Sequence, residues 1–423
     1  MFRGGEASPR AKGFLVSTLA AAVMTAAIVS TAAVAIGAAG ASSALGTPHP
    51  ATLPAVTIGL ISDAGGGAGV ATGSLVEQGA KAAVAYENEY QDGLEGHKIT
   101  LYICENQGTP SGGQTCANDM VQHGVVAVTL PFTGQGQTEV PTITGAGIPY
   151  ITLSGASTAE LTTPGSFALT GGFPADLGAM ALSAKQHGYK KVVFLVDNDP
   201  AAIQGAQVLG GLVYKAAGVG FTVIPVNTGT ADMSPQMQTA VSDGAGAVGM
   251  VGDVGFCSSF LQAYNTLDLK LPRYVLSTCQ DPSILDSASL DKALAGSYIT
   301  TTTQASKGDL ATYGAIIGKY LPKVSPNPNV SSNEAGGVTP VLALAAIMKG
   351  STQPVTAAGV KTQTETAKNV VIPFSGGLTF TCNGTAIPLL KSVCSSSAAL
   401  GVIQAGKAGK VTGIKVYDPT PLF

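Results

Sequence analysis

The sequence predicts an α/β fold with parallel sheets in two successive units. From Val56 onward, short β-branched runs alternate with alanine-rich stretches of helical spacing. The alternation passes through two cycles, 55–170 and 173–298, each about the size of one doubly wound sheet. The strand-like runs are almost continuously apolar, which is typical of parallel strands covered by helices on both faces.

Each element is predicted from its hydrophobic period and from the turn residues at its ends. The predicted strands, which are β-branched and bounded by turn residues, cover 56–61, 99–104, 125–130, 150–153, 191–196, 222–226, 247–251, 273–276 and 297–302. The predicted helices, which are alanine-rich, cover 74–90, 113–123, 139–145, 175–188, 202–217, 234–243, 257–267, 310–321 and 338–349. Gly171-Gly172 separates the cycles and is a natural hinge. The tail 370–423 is polar, glycine-rich and β-rich.

Residues 1–43 are predicted to be a signal peptide or an N-terminal anchor. Arg3, Arg10 and Lys12 precede an uncharged apolar stretch that ends in small residues, as in an export signal. That stretch is also long enough for the roughly 20 residues that a membrane span needs, so an uncleaved anchor is the alternative. The first cysteine is Cys104, which excludes a lipoprotein anchor. We expect the rest of the chain to lie outside the cytoplasmic membrane.

Cysteine usage agrees with export. An even number of cysteines in an oxidising compartment predicts disulfides rather than metal or redox chemistry. Proximity along the chain favours three local pairs among the roughly 15 possible connectivities, and the alternative is buried free thiols. The favoured pairs are Cys104–Cys116, Cys257–Cys279 and Cys382–Cys394.

Charge and motifs exclude several function classes. Only 11% of residues are charged, the net charge is −3, and Arg273 is the sole arginine beyond the leader. No basic patch is therefore available for nucleic acid. The glycine run 65–69 lacks the spacing of a dinucleotide-binding loop. We expect no cofactor, no metal and no catalysis; the four histidines (His49, His97, His123 and His187) are not in metal-ligand spacing.

Several motifs together resemble type I periplasmic binding proteins, and in particular the substrate-binding subunits of ABC transporters for branched-chain amino acids and amides. Each motif alone is modest, but their order and spacing are specific. They are Gly-Leu-Ile-Ser-Asp at 59–63, Glu-Gln-Gly-Ala-Lys-Ala-Ala-Val at 77–84, Gly-Ile-Pro-Tyr-Ile-Thr at 147–152, the run 154–162, and Lys-Lys-Val-Val-Phe-Leu-Val-Asp at 190–197.

The resemblance implies two Rossmann-like lobes joined by a hinge of three crossings, with the ligand between them. Lobe 1 would comprise 55–170 plus 302–369, and lobe 2 would comprise 171–301 plus 370–423. It also implies a monomeric receptor that closes on a small polar ligand, such as an amino acid, an amide or a small carboxylic acid. The partner would be the membrane permease of an ABC transporter.

Three alternatives to this function remain open at this point. The same fold could sense a ligand for a signalling partner, or it could be an exported α/β enzyme. The cleft could also have lost its ligand and serve in cell-wall assembly.

Two loops of lobe 1 are the strongest candidates for ligand contact, because ligands bind beyond the carboxyl ends of strands in open α/β sheets. By resemblance, Thr133 and Ser157 would donate to a ligand carboxylate, and the carbonyl of Gly155 would accept from an ammonium group. The structural alternatives are that Thr133 only ends a strand and that Ser157 only begins a helix in a capping box. The neighbouring candidates in these loops are Gly134, Ala156 and Thr158.

Lobe 2 departs from the family pattern. The loop 198–202 lacks the aromatic residue that is common there, and Thr72 stands where lobe 1 often has an aromatic residue. Asp253 is the candidate partner of a ligand ammonium group, with a solvated turn as its alternative. Phe132 and Phe173 are candidate apolar walls, and otherwise they pack in the core. Gln280 and Asp281 are weaker candidates.

Overall fold

The computed structural model describes residues 44–63, 70–198, 200–301, 305–323, 333–404, 406 and 409–423. The predicted leader and the glycine run 65–69 lie outside the described residues. The first sheet contains five parallel strands in the order β2-β1-β3-β4-β5. Its strands are β1 (Leu53–Ser62), β2 (His97–Glu105), β3 (Val128–Leu130), β4 (Tyr150–Thr152) and β5 (Ser166–Ala168).

The second sheet has the order β14-β13-β10-β9-β8-β6-β7, and β6 to β10 are parallel. The parallel strands are β6 (Lys191–Asp197), β7 (Gly220–Val226), β8 (Ala247–Val251), β9 (Arg273–Val275) and β10 (Tyr298–Thr301). A separate antiparallel ribbon pairs β11 (Val370–Val371) with β12 (Thr379–Phe380). Two antiparallel strands complete one edge of the second sheet, β13 (Ala398–Ile403) and β14 (Val411–Tyr417).

Helices accompany both sheets. Those of the first unit are Val70–Tyr90, Pro110–Gln122, Gly136–Gly145, Thr158–Thr162, Lys307–Tyr320, Asn333–Met348 and Ala357–Thr366. Those of the second unit are Gly172–Gln186, Pro200–Gly205, the π-helical turn Ala206–Gly210, Gly211–Ala217, Ser234–Ser242, Val254–Thr266, Pro282–Leu285 and Ala288–Leu294, with 3₁₀ turns at Ser277–Gln280 and Thr420–Leu422. The predicted α/β class and its two lobes are confirmed.

Strand β6 shows why its sequence is continuously apolar. Val193 and Leu195 pack into the hydrophobic cluster on one face of the second sheet. Val192, Phe194 and Val196 pack into the cluster on the opposite face. Because successive side chains of a strand point to opposite faces, both sets must be apolar when helices cover both sides.

Three passages of the chain connect the two units. The first leaves β5 and enters the helix Gly172–Gln186, and the second leaves β10 and enters the helix Lys307–Tyr320. Tyr313 and Ile316 of that helix belong to the core of the first sheet, so the chain has returned to the first unit. The third passage precedes β13, which is part of the second sheet.

The tail divides later than the family resemblance implied. The resemblance assigned all of 370–423 to lobe 2, whereas Ile372, Phe374 and Phe380 pack in the core of the first sheet. Backbone hydrogen bonds also attach this segment to β5, since Ala168 donates to Ser392. The change of unit therefore occurs near residue 395. The sequence could not locate it, because it depends on which core accepts the apolar side chains of 372–380.

The three predicted disulfides are present, and the described residues contain no free cysteine. Cys104 lies in β2 and Cys116 lies within the helix Pro110–Gln122, one turn deeper than the sequence suggested. Cys382–Cys394 closes the loop that precedes the third crossing. Among the helices described, none combines the length and the apolar character needed to cross a membrane.

Candidate functional site: the loops at the carboxyl ends of the strands

Polar side chains from three loops meet beyond the carboxyl ends of β1, β2 and β3. The amide nitrogen of Asn106 lies 2.6 Å from Asp63 Oδ1, 3.1 Å from Thr133 Oγ1 and 2.9 Å from Glu139 Oε1. The Thr133 hydroxyl lies 3.0 Å from Asp63 Oδ1 and accepts from the backbone amide of Gln135 at 3.0 Å. Thr133 is only 1% exposed. Its hydroxyl therefore has hydrogen-bond partners inside the protein.

A buried chain of acid groups continues behind these loops. Tyr150 Oη lies 3.2 Å from Glu139 Oε2 and 3.4 Å from Glu160 Oε1, and all three side chains are fully buried. A phenol has one proton to donate, so both contacts are hydrogen bonds only when one carboxyl is protonated. Burial, together with the nearby charge of Asp63, raises the pKa of Glu139 to about 7. Burial raises the pKa of Glu160 as well, against hydrogen-bond donors that lower it.

Those donors come from the second predicted ligand loop. Glu160 Oε2 accepts from the amide of Ala156 at 3.1 Å, from the amide of Ser157 at 2.9 Å and from the Ser157 hydroxyl at 2.8 Å. Ser157 Oγ in turn accepts from the amide of Glu160 at 3.3 Å, which completes a capping box on the helix Thr158–Thr162. The capping box that the sequence predicts at Ser157 is present. An internal carboxylate holds the donors that the resemblance assigned to a ligand carboxylate.

Two glycines make this arrangement possible. A Cβ at Gly136 would lie 2.3 Å from Cδ of Glu160, so a side chain there would displace the buried carboxylate. Gly172 has a φ of +54°, and its Cβ would lie 2.7 Å from the carbonyl oxygen of Gly155. The Gly155 carbonyl, predicted to accept from a ligand, therefore faces the first crossing at close range.

The remaining candidates of this lobe lie at the surface of the same loops. Phe132 is 49% exposed although it is a large apolar side chain. Gly134 and Thr158 are exposed, and Ala156 is half-buried. The amide of Gly134 lies 3.3 Å from Asp63 Oδ2, so Asp63 also holds the tip of the loop beside Phe132. The structure thus brings these loops together through carboxylates.

The lobe 2 candidates are more dispersed. Asp253 is exposed and caps the helix Val254–Thr266 by accepting from the amide of Phe256 at 2.8 Å. Within the described ranges, no hydrogen bond or ion pair joins Asp253 to the loops of the first sheet. Phe173 is half-buried and packs against the second core, near Gly205. Asp253 therefore has the local role of a helix cap.

Gln280 and Asp281 also have local partners. Gln280 is 5% exposed and donates to the carbonyl of Gly409 at 2.8 Å. Asp281 accepts from the amide and the hydroxyl of Ser283 at 2.9 and 2.6 Å. In the part of the chain that the structure describes, no group of three or more His, Cys, Asp and Glu side chains is placed to hold a metal ion.

A small cavity of about 30 Å³ lies where the crossings meet, which is room for about one water molecule. Asp176 reaches it from the helix Gly172–Gln186, and Ser154 reaches it from the loop after β4. Burial raises the pKa of Asp176 to about 7. The rest of the lining comes from Thr170, Gly172, Thr301, Ile372, Leu378, Ser395, Ser397, Ala398 and Ala399.

The sequence does not predict this acidic framework. Local pattern gives Asn106, Glu139 and Tyr150 no role, and it gives Glu160 only its place in a capping box. One sequence feature could have indicated the buried carboxyl groups. Glu139 and Glu160 both follow strand-end loops, in a chain with only 11% charged residues. Their burial depends on packing between loops that are distant along the chain, and this could not be derived from local pattern.

Known structures share the fold described above. A leucine-binding protein, LivK, from Thermotoga maritima is 16% identical, with a TM-score of 0.69 over 86% of this chain and 99% of that one. LivJ of Streptococcus pneumoniae in complex with isoleucine is 17% identical, with a TM-score of 0.66 over 86% and 100% of the two chains. A solute-binding protein from R. palustris in complex with 4-hydroxybenzoate is 15% identical, with a TM-score of 0.67 over 86% and 98%.

A search of curated proteins found no sequence that matches this chain. A family model described as periplasmic binding protein matches residues 55–390, which is most of the chain. Membership of this family implies a binding role and an extracytoplasmic location. The chain belongs to the periplasmic binding protein family.

Proposed function

We propose that this protein is an extracytoplasmic solute receptor that closes on one small polar molecule and delivers it to the permease of an ABC transporter. The observation that carries the proposal is the pair of α/β units joined by three crossings, with loops gathered beyond the carboxyl ends of β1 to β4. That position is where open α/β sheets bind ligands. We also propose that the receptor is monomeric, is not an enzyme and is exported by residues 1–43.

The family and the neighbours set the starting range of ligands. The neighbours named above bind leucine, isoleucine and 4-hydroxybenzoate. Amino acids, amides and small carboxylic acids are therefore the classes to test first. A ligand favours closure only by the difference between its affinities for the closed and the open forms. A dissociation constant of about 1 μM would correspond to a binding free energy of about −8 kcal/mol.

Phe132 is the residue whose surface position best supports ligand contact in lobe 1. Leaving half of a large aromatic side chain in water is unfavourable, and burying it against a ligand on closure would recover roughly 1–2 kcal/mol. We propose Phe132 as an apolar wall, with Phe173 facing it from lobe 2. Thr133 and Ser157 would act by fixing the loops through Asp63 and Glu160.

Thermal-shift screening and isothermal titration calorimetry of the purified protein test this function. We expect a saturable rise in melting temperature with at least one small polar solute. Phe132→Ala should weaken that binding about tenfold. Leu389→Ala is the matched control, because Leu389 is also an exposed apolar side chain, at 66%, but lies in the disulfide-closed loop. Equal binding by both variants would contradict the role of Phe132, and turnover of a bound compound would contradict the receptor.

A further inference from the structure

The loop that the Cys382–Cys394 bridge closes contains an exposed turn with an asparagine followed by a glycine. Asn383 is exposed, and it is the only asparagine of the 423-residue sequence that precedes a glycine. Gly384 has a φ of +70°, a conformation that glycine adopts without strain, and it has no Cβ to shield its amide nitrogen. The side chain of Asn383 and the nitrogen that follows it are therefore open to each other and to water.

The side chain of Asn383 forms a turn with the residues that follow it. Its Oδ1 accepts from the backbone amide of Thr385 at 3.1 Å and from the Thr385 hydroxyl at 2.6 Å. A hydrogen bond from an asparagine side chain to the amide two residues further on folds the side chain back along the backbone. The ring that this bond closes contains both Cγ of Asn383 and the nitrogen of Gly384. The turn therefore holds a carbonyl carbon close to a backbone nitrogen.

The surroundings of this turn favour attack by that nitrogen on that carbon. Two donors bind the carbonyl oxygen of Asn383, where negative charge develops when a nucleophile adds. Within the described residues, the amide of Gly384 makes no hydrogen bond of its own. Lys391 Nζ donates to the carbonyl oxygen of Gly384 at 3.2 Å, and a nearby ammonium group favours the deprotonated form of the attacking nitrogen. The carbon is thus activated, and the nitrogen is free to attack it.

We propose that Asn383 is a self-modification site, at which the chain converts its own asparagine into aspartate or isoaspartate. The nitrogen of Gly384 gives its proton to water and forms a bond to Cγ of Asn383. The bond from Cγ to Nδ2 breaks, and ammonia leaves with the electron pair and a proton from water. A cyclic imide remains. Water then adds to one imide carbonyl, and cleavage of one or the other carbon–nitrogen bond gives aspartate or isoaspartate. The step needs no oxidant or reductant, and it adds one negative charge beside Lys391.

A second turn of the same geometry lacks the groups that react. Asp418 Oδ1 accepts from the amide of Thr420 at 3.1 Å and from the Thr420 hydroxyl at 2.6 Å. The residue between them is Pro419, whose nitrogen carries no proton, and the carboxylate of Asp418 has no ammonia to release. The hydrogen bonds of the two turns are alike. The turn at Asp418 is therefore a control for what such a turn contributes to folding.

Peptide mapping by mass spectrometry of the folded chain, incubated for increasing times in heavy-oxygen water, tests the proposal. Incorporation of the heavy oxygen marks conversion that occurs during the incubation. Asn383 should convert at least about tenfold faster than Asn369, which is also exposed but is followed by the β-branched Val370. The rate should rise with pH, because the attacking nitrogen must lose its proton. Conversion at Asn383 that is absent, or no faster than at Asn369, overturns the proposal.

Substitutions of the threonine that binds the carbonyl oxygen test the cause. Thr385→Val keeps the shape of the side chain but removes the hydroxyl donor, and it should slow conversion by at least about threefold. Thr385→Ser restores a hydroxyl and should convert at the parental rate. Thr420→Val removes the matching hydroxyl of the control turn and should leave the rate at Asn383 unchanged. If Thr385→Val is folded, as shown by its melting curve, and converts as fast as the parent, the assistance by Thr385 is overturned.

The freshly purified chain separates this modification from another that uses the same residue. Asn383-Gly384-Thr385 also matches the acceptor sequence for N-linked glycans. A glycan on Asn383 would be bonded to Nδ2, the atom that must leave as ammonia. A sugar mass on this peptide before incubation therefore overturns the proposal. A peptide that carries no sugar and gains heavy oxygen at Asn383 during incubation supports it.

Discussion

The carboxylate of Glu160 lies 2.8 Å from the hydroxyl oxygen of Ser157 and 2.9 Å from its amide nitrogen. One side chain therefore caps a short helix and also occupies the donors of a loop at the carboxyl edge of the first sheet. The loop that the family resemblance assigned to a ligand therefore already has a carboxyl side chain of the same lobe as its partner. A substitution in this capping box should change the stability of the lobe.

Removing the Ser157 hydroxyl should destabilise the protein. Ser157→Ala deletes the side-chain half of the capping box, and the loss of such a cap costs about 1 kcal/mol. We expect the melting temperature to fall by about 2 °C. Thr158→Ala, one residue further and exposed, is the control and should change it less. Identical melting curves for both variants and the parent would contradict the structural role of the cap.

Stability should decrease as pH rises through the range in which Glu139 titrates. Its pKa is raised by burial from 4.5 to about 7 in the folded state, so the folded protein binds a proton that the unfolded chain has lost. The contribution is fully present below pH 4.5 and is lost as the pH rises through about 7. The slope from this group is at most about 1.4 kcal/mol per pH unit.

Urea unfolding between pH 4.5 and 8 measures this slope. Glu139→Gln should flatten it, whereas Glu365→Gln, an exposed glutamate on an outer helix, should leave it unchanged. Glu87 and Asp176 add to the same trend in the parent, because burial raises their pKa values to about 8 and about 7. A slope that is unaffected by Glu139→Gln would show that Glu139 is ionised throughout.

Gly172→Ala should lower the free energy of unfolding more than Gly188→Ala does. Gly172 has a φ of +54°, and a Cβ there would lie 2.7 Å from the carbonyl oxygen of Gly155. Both the left-handed backbone and the close contact are unfavourable, so we expect a loss of about 2 kcal/mol. Gly188→Ala is the control, because Gly188 has a φ of +75° but nothing within 4 Å of its Cβ position.

Unfolding free energies from urea titration separate the effect of the left-handed backbone from that of the close contact with Gly155. A loss at Gly172 that is about 1 kcal/mol larger than at Gly188 would confirm that the first crossing packs closely against the loop after β4. Equal losses would mean that only the backbone conformation matters and that the two segments separate readily.

Removal of the Cys382–Cys394 bridge should loosen the third crossing. Both this bridge and Cys104–Cys116 join residues with a sequence separation of 12, so the loss of chain entropy on cross-linking is the same. Each double alanine variant should lose about 3 kcal/mol. Limited proteolysis should cut within 382–394 in the variant that lacks Cys382–Cys394, but not in the variant that lacks Cys104–Cys116. Equal protection in all variants would show that packing, not the disulfide, holds this loop.

Much of the fold was predictable from local pattern. The alternation of β-branched and alanine-rich segments predicted all ten strands of the two parallel sheets except β5, which has three residues and is too short to stand out. Cysteine proximity predicted the three disulfides, because a short loop is closed most easily. The unit to which 370–394 belongs was not predictable, since that depends on which core accepts Phe374 and Phe380.

The candidate site also combines features that local sequence predicts with features that depend on tertiary packing. Sequence alone determined the family resemblance, the loops at the strand ends, the capping box and the scarcity of basic residues, because each is a property of residues close together along the chain. Only the tertiary structure decided that Asn106, Glu139, Tyr150 and Glu160 converge behind those loops, where Glu160 accepts from the amide and the hydroxyl of Ser157. Such contacts join residues from separate strand–helix units, and their partners are selected by the packing of the whole sheet.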